Sequence, residues 1–194
     1  MSERSRVGRP RAVSREMLEE AACELFLEQG YEATSVSDIT QRAGVSRATF
    51  FNYIPTKSDL LWAGVDDELS LLAQQLDGRA TGDTDDPVAE CERALLAIGE
   101  RLQPGPVVLA FANAEQMEVA EELAESSGRR QSRIGRLVAT HLIARGVPSL
   151  RAEVIGAGQA GAFLAALRAW ALDAPGRTPF TEPLRQALGV LAYR

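Results

Sequence analysis

The sequence predicts an all-α protein: a small N-terminal domain of three helices in helix-turn-helix order, joined by a long helix to a larger C-terminal helical domain. Three observations predict it. Apolar residues recur with a helical period of about 3.6 from Leu18 to the C-terminus, with no alternating strand pattern and no internal repeat. Capping residues and Gly/Pro breaks cut that periodic pattern into separate segments. Two short helices flank the tight Gly44-Val45 turn, the second nearly too small to bury anything alone.

The first helix is expected over 14–30, with Leu18, Ala21, Ala22, Leu25 and Phe26 as its buried stripe, Ser14 as N-cap and Gly30 as terminator. Ser35 caps the second helix, with Asp38 three residues on as an approximate capping box. Gly44 takes the turn that needs a positive φ. The third helix runs from Ser46, its cap, to about Tyr53, and Pro55 closes it. Thr56 then caps the long helix that carries Leu60, Leu61, Trp62, Val65, Leu69, Leu72 and Leu76. The acidic, glycine-bearing stretch 77–86 reads as a loop. Beyond it, helices are expected over 87–103, 106–118, 119–145, 149–172 and 181–193, with breaks at Pro104-Gly105-Pro106, Gly146-Val147-Pro148 and 173–179. The divisions are thus a basic flexible arm at 1–13, a helix-turn-helix domain at 14–60 and a C-terminal domain at 61–194.

Composition narrows the function classes. The 194 residues are 45% hydrophobic and 25% charged, ordinary for a globular protein. The longest apolar run, about 154–167, is too short to span a bilayer and reads as a core helix, so no membrane partner is expected. Cys23 and Cys91 are far apart, which suits reduced core residues in a cytoplasm rather than a disulfide. One histidine and two isolated cysteines build neither a metal site nor a Cys-His pair, and no glycine loop cradles phosphate. Catalysis, cofactor and metal are therefore not expected; paired acids such as Glu121-Glu122 belong to a solvated run. Net charge is −6, yet residues 1–15 hold five arginines against one glutamate, so the basic charge gathers where a nucleic acid would be met.

A short helix after a tight turn fits the DNA major groove. Ser46 caps it and leaves Arg47, Ala48, Thr49, Asn52 and Tyr53 to project, while Phe50 and Ile54 turn inward. Arg47 suits guanine O6/N7, and Asn52 or Thr49 suits base edges or phosphate. Ser35, Ser37, Tyr53 and Lys57 are placed to hold phosphates. The plainer alternatives are a surface arginine at Arg47 and a helix-supporting Thr49.

The ordered set Leu25-Phe26, Gly30-Tyr31, Ala33-Thr34, Ile39, Ala43-Gly44-Val45-Ser46, Thr49, Tyr53, Lys57 and Leu60 closely resembles the DNA-binding signature of the TetR family of regulators. The resemblance covers roughly residues 14–62, about a third of the chain. It implies a homodimer, two recognition helices in successive major grooves of palindromic double-stranded DNA, and repression relieved by a small-molecule ligand, apolar or amphipathic, bound in a C-terminal ligand-binding and dimerisation domain. The chain departs from the pattern at Phe51, where the family commonly has a tyrosine whose hydroxyl touches phosphate. Arg9 and Arg11, in Gly8-Arg9-Pro10-Arg11, look like an arm for the minor groove; the alternative is a solubilising tail.

In helix 149–172, small residues at Ala157, Gly161 and Ala165 allow another helix to come close. The resemblance places them, with Leu184, Leu188 and Leu191, in a four-helix dimer interface; close packing within one monomer is the alternative. Phe111, Gln116, Met117, His141, Gln159 and Phe163 are candidate pocket residues among aliphatics, though the same residues also serve as core. A regulator answering to a protein partner, or to no effector, remains open beside the ligand-responsive repressor.

Overall fold

A computed structural model describes residues 11–78, 86–173 and 176–191. Its nine regular elements are all α-helices: α1 (Arg11–Gln29), α2 (Val36–Arg42), α3 (Arg47–Tyr53), α4 (Lys57–Gly78), α5 (Pro87–Arg101), α6 (Pro106–Ala112), α7 (Ala120–Ala144), α8 (Ser149–Asp173) and α9 (Thr181–Val190). The first three form a head. Leu18, Ala22, Leu25 and Phe26 of α1 enclose a core with Ile39 of α2 and Phe50 of α3, and Leu60 and Leu61 close it from α4. Each residue is 5% exposed or less, the pattern expected of an amphipathic stripe meeting its partners.

Local chemistry sets the boundaries. Ser35 and Asp38 form a reciprocal capping box: Ser35 Oγ accepts from Asp38 N–H (3.2 Å), and Asp38 Oδ2 accepts from Ser35 N–H (2.8 Å). The Ser35 hydroxyl, 2.7 Å from Asp38 Oδ2, and then the Ser35 N–H hold the Asp38 carboxyl below its ordinary pKa. Gly44 lies at φ +66°, so the chain reverses and Val45 N–H reaches back to Thr40 C=O at 3.0 Å. Thr56 caps α4 through Asp59 N–H at 3.1 Å.

Several boundaries differ from the sequence reading by a few residues, two of them with a local cause. Helix α1 begins at Arg11, so Ser14 lies inside it and the expected free arm loses its last residues. Arg-Ala-Val carries no helix breaker, and it follows a proline, a residue tolerated in a first turn. Helix α6 stops at Ala112 instead of running to 118. Asn113 Nδ2 bonds back to Leu109 C=O (2.9 Å), a local bond that competes with the helix ladder, and Glu118 takes φ +50°.

The body is built on an antiparallel α7–α8 pair, with α9 against α8 and α5, and α4 leaning on α5 and α7. The α7–α8 contact is close because glycines face each other: a Cβ on Gly156 would lie 2.4 Å from Gly135 O. Helix α8 is long and apolar enough to cross a membrane by length and composition. Ile155, Phe163, Leu167 and Trp170 of α8 are nonetheless buried in the chain's own core, as expected for the run 154–167.

Candidate nucleic-acid interface

Helix α3 is anchored from beneath. Phe50, fully buried, and Ile54, 3% exposed, fix its inner side. Ser46 Oγ accepts from Thr49 N–H at 3.0 Å and lies 2.9 Å from Thr49 Oγ1, which locks the first turn. The outer side then presents Arg47, Ala48, Phe51 and Asn52, all exposed, with Tyr53 half-buried beside them. Arg47 Nη1 donates to Ser37 Oγ at 3.0 Å, so the guanidinium bridges α3 to α2. Ser35 and Ser37 are exposed at the start of α2, on the side from which Arg47 is held. The predicted residues Ser35, Ser37, Ser46, Arg47, Ala48, Phe51 and Asn52 are thus all surface-accessible on α2 and α3, and Thr49 is half-buried as a helix support.

Lys57 has partners that the sequence reading did not name. Its Nζ donates to Tyr31 C=O (2.6 Å) and Thr34 C=O (3.0 Å) and lies 3.8 Å above the Tyr31 ring. Two of its three N–H groups therefore close the α1–α2 loop against α4. Burial draws its pKa below the ordinary lysine value. Arg9 lies outside the described residues; Arg11 starts α1, and its side chain also lies outside them. The acids of α1 are partly neutralised: Arg42 bridges Glu24 and Glu28 at 3.0 and 2.7 Å, and Arg15 holds Glu19 at 2.8 Å.

Sequence reasoning missed the polar seam that ties this head to the body. Arg130 of α7 is only 5% exposed and grips Asp59 (3.0 Å) and Asp66 (2.5 Å) of α4, with its guanidinium 4.9 Å above Trp62. Trp62 Nε1 donates to Ser126 Oγ at 2.9 Å, and Ser58 Oγ meets Glu122 Oε1 at 2.5 Å. Above the seam, Tyr31 N–H donates to Met117 C=O at 2.7 Å. Asp59 and Asp66, seven residues apart, were a legible helical pair, but no sequence signal named Arg130 as their partner.

The candidate ligand residues do not share one cavity. Gln116, exposed, and Met117, buried, sit at the head–body junction, where the early end of α6 places them. Phe111 packs edge-on against Trp62 with centroids 5.9 Å apart. Phe163 packs against Phe180 at 5.2 Å. His141 lies at the far end of α7, with Nδ1 2.8 Å from Leu76 C=O and Nε2 3.3 Å from Glu90 Oε2. Gln159 alone keeps the character of a binding group: it is fully buried, and neither Oε1 nor Nε2 has a partner among the described residues.

The interface residues divide as well. Ala157 and Ala165 are exposed and Gly161 half-buried on α8, in line with Leu150, Val154 and Leu172, which are 75%, 61% and 65% exposed. Leu184 and Leu188 are 0% and 5% exposed because α9 turns them onto α5 and α8, so they belong to this chain's own core. Leu191 is half-buried against the same core.

Residues 18–63 match the family described as "Bacterial regulatory proteins, tetR family". The proposed mycofactocin biosynthesis transcriptional regulator MftR of Mycobacterium tuberculosis is 36% identical over 77 residues, which is 40% of this chain and 39% of that protein. The uncharacterised HTH-type transcriptional regulator YvdT of Bacillus subtilis is 36% identical over 70 residues, 36% of each chain. The chain thus matches less than half the length of these curated relatives. The crystal structure of Thermus thermophilus FadR, a TetR-family transcriptional repressor in complex with lauroyl-CoA, is similar over 91% of this chain and 92% of that one, at 25% identity and a TM-score of 0.52. Residues 18–63 thus carry the DNA-binding segment of the TetR family of bacterial regulatory proteins, set in a helical fold similar to that of a TetR-family repressor.

Proposed function

We propose that the protein is a homodimeric transcriptional regulator that binds palindromic double-stranded DNA through α3 and is released from it by a small apolar or amphipathic ligand. The observation that carries this reading is the outer face of α3. Arg47, Ala48, Phe51 and Asn52 stand exposed on a seven-residue helix whose inner side is fixed by Phe50. A helix so short, propped on α2 and offering a guanidinium and a carboxamide, suits base edges in the major groove.

Dimerisation is read from the α8 stripe of Leu150, Val154, Ala157, Gly161 and Ala165, which recurs every three to four residues, continues two turns on at Leu172 and is left largely to solvent. Two copies related by a two-fold axis cover each other's stripe and present two α3 helices to two half-sites. The ligand reading rests on Gln159. A buried amide with both ends unpaired costs about 1–3 kcal/mol or more, and a ligand carrying a donor and an acceptor recovers it. The TetR-family repressor crystallised with lauroyl-CoA supports an amphipathic class. In this reading the Arg130–Asp59–Asp66 seam transmits ligand binding to the angle of α4 and so to the spacing of the two heads.

Selection of bound duplexes from a random-sequence library tests the reading. An enriched palindrome, bound saturably by the wild type and at least tenfold more weakly by Arg47→Ala, is the expected result. Compounds that lower operator affinity in the same assay identify the effector class; a ligand that binds tightly and leaves that affinity unchanged removes the release mechanism.

A further inference from the structure

Phe51 is a large apolar side chain held in solvent on the outer face of α3. It is 51% exposed, and its ring meets the buried Phe50 edge-on, with centroids 5.2 Å apart and planes at 81°. That contact fixes the ring's direction without covering it. Ala48, three residues earlier on the same strip of the helix, is also exposed. Arg47 and Asn52 flank the pair, so the face has an apolar centre between two polar edges.

In the major groove the base pairs present one apolar group, the 5-methyl of thymine. We infer that Phe51, with Ala48 beside it, selects thymine in each half-site by packing on that methyl group. The inference rests on the reading of α3 as the DNA-contacting helix and adds a base preference to it. A phenylalanine ring has no atom with which to hold a phosphate oxygen. Its gain in the groove comes from removing apolar surface from water, and the thymine methyl is the surface that matches it. One buried methyl contributes about a fourfold change in affinity.

The test uses the full chain and the duplex enriched from the random library. Each dT is replaced in turn by dU, which deletes only the methyl group. The wild type is expected to bind about three- to tenfold more weakly at one or two such positions per half-site. Phe51→Ala is expected to bind the dT and dU forms equally, and Phe51→Leu to retain part of the discrimination. Helicity and melting temperature confirm that the exposed substitution leaves the fold intact. Indifference of the wild type to every methyl overturns the inference while leaving DNA binding in place. So does a methyl effect that persists undiminished in Phe51→Ala. A library with no enriched sequence at any salt overturns both the inference and the reading beneath it, and that outcome is distinct from the other two.

Discussion

Replacing Gly156 by alanine is expected to destabilise the protein although it improves helix propensity. Alanine is favoured over glycine in a helix interior by about 1 kcal/mol. Against this, the new Cβ lies 2.4 Å from Gly135 O and 3.2 Å from Ala139 N, both backbone atoms of α7 that no rotamer change can move. Relief requires α7 and α8 to separate by roughly 0.5–1 Å, a gap that forfeits a quarter to a half of each dispersion contact along the pair. Overpacking of this kind costs about 1–3 kcal/mol or more, and a backbone clash belongs at the upper end. After subtracting the propensity gain, the net loss is about 1–3 kcal/mol, or a fall in Tm of roughly 3–10 °C for a chain of this length. Gly64 is the control: it lies inside α4, and a Cβ there meets nothing within 4 Å. Gly64→Ala is expected to gain about 0.5–1 kcal/mol. Urea denaturation followed by circular dichroism at 222 nm, at fixed protein concentration, measures both. A Gly156→Ala protein as stable as the wild type would refute the close-approach argument.

Three further outcomes follow from the same structure. Arg130→Ala takes the buried cation from Asp59 and leaves Asp66 only the longer contact to Arg133 at 3.5 Å; it is expected to cost about 3 kcal/mol, the lower end for a broken buried pair because both carboxylates are partly solvated, and chemical denaturation measures it. Burial raises the Cys23 and Cys91 thiols to about 12. Only about one native molecule in ten thousand then carries the thiolate at pH 8, so both should react with an aromatic disulfide reagent far more slowly in the native than in the unfolded chain. Because these raised values favour the protonated thiol in the native state, their contribution to stability is complete below about pH 8.5 and declines as pH rises towards 12, as denaturation at stepped pH would register. Val154→Glu puts a charge on the exposed α8 stripe and is expected to shift sedimentation from dimer to monomer with helicity retained; an unchanged dimer would place the interface elsewhere.

The head was legible from the sequence because its determinants are local. Caps at Ser35, Ser46 and Thr56, the Gly44 turn and the α1 stripe each act within a few residues, and each fixes a boundary or a buried face. The partners of Lys57 were not legible, for the opposite reason. Its partners Tyr31 and Thr34 lie more than twenty residues away, and spacing alone does not distinguish an ammonium aimed at phosphate from one aimed at a carbonyl. The C-terminal residues were harder for the same cause. Phe111, Phe163 and Leu184 have the composition of pocket or interface residues, but the side each faces depends on the rotation of its helix about its axis. The Asn113 side chain ended α6 early and carried Gln116 and Met117 from the expected pocket to the junction with the head. Small residues at Ala157, Gly161 and Ala165 signal room for a neighbour but not which side it comes from, and the close contact within the chain falls on Gly156 and Gly135 instead.

The most direct measurement is the affinity of wild type and Arg47→Ala for the enriched palindromic duplex and for a scrambled duplex, across a range of salt concentrations. The account predicts that the wild type prefers the palindrome by at least about a thousandfold and that its affinity falls steeply as salt rises. It also predicts that Arg47→Ala narrows the gap between the two duplexes by about ten- to a hundredfold. Equal, weak binding of both duplexes by both proteins would contradict the claim that the exposed face of α3 reads DNA.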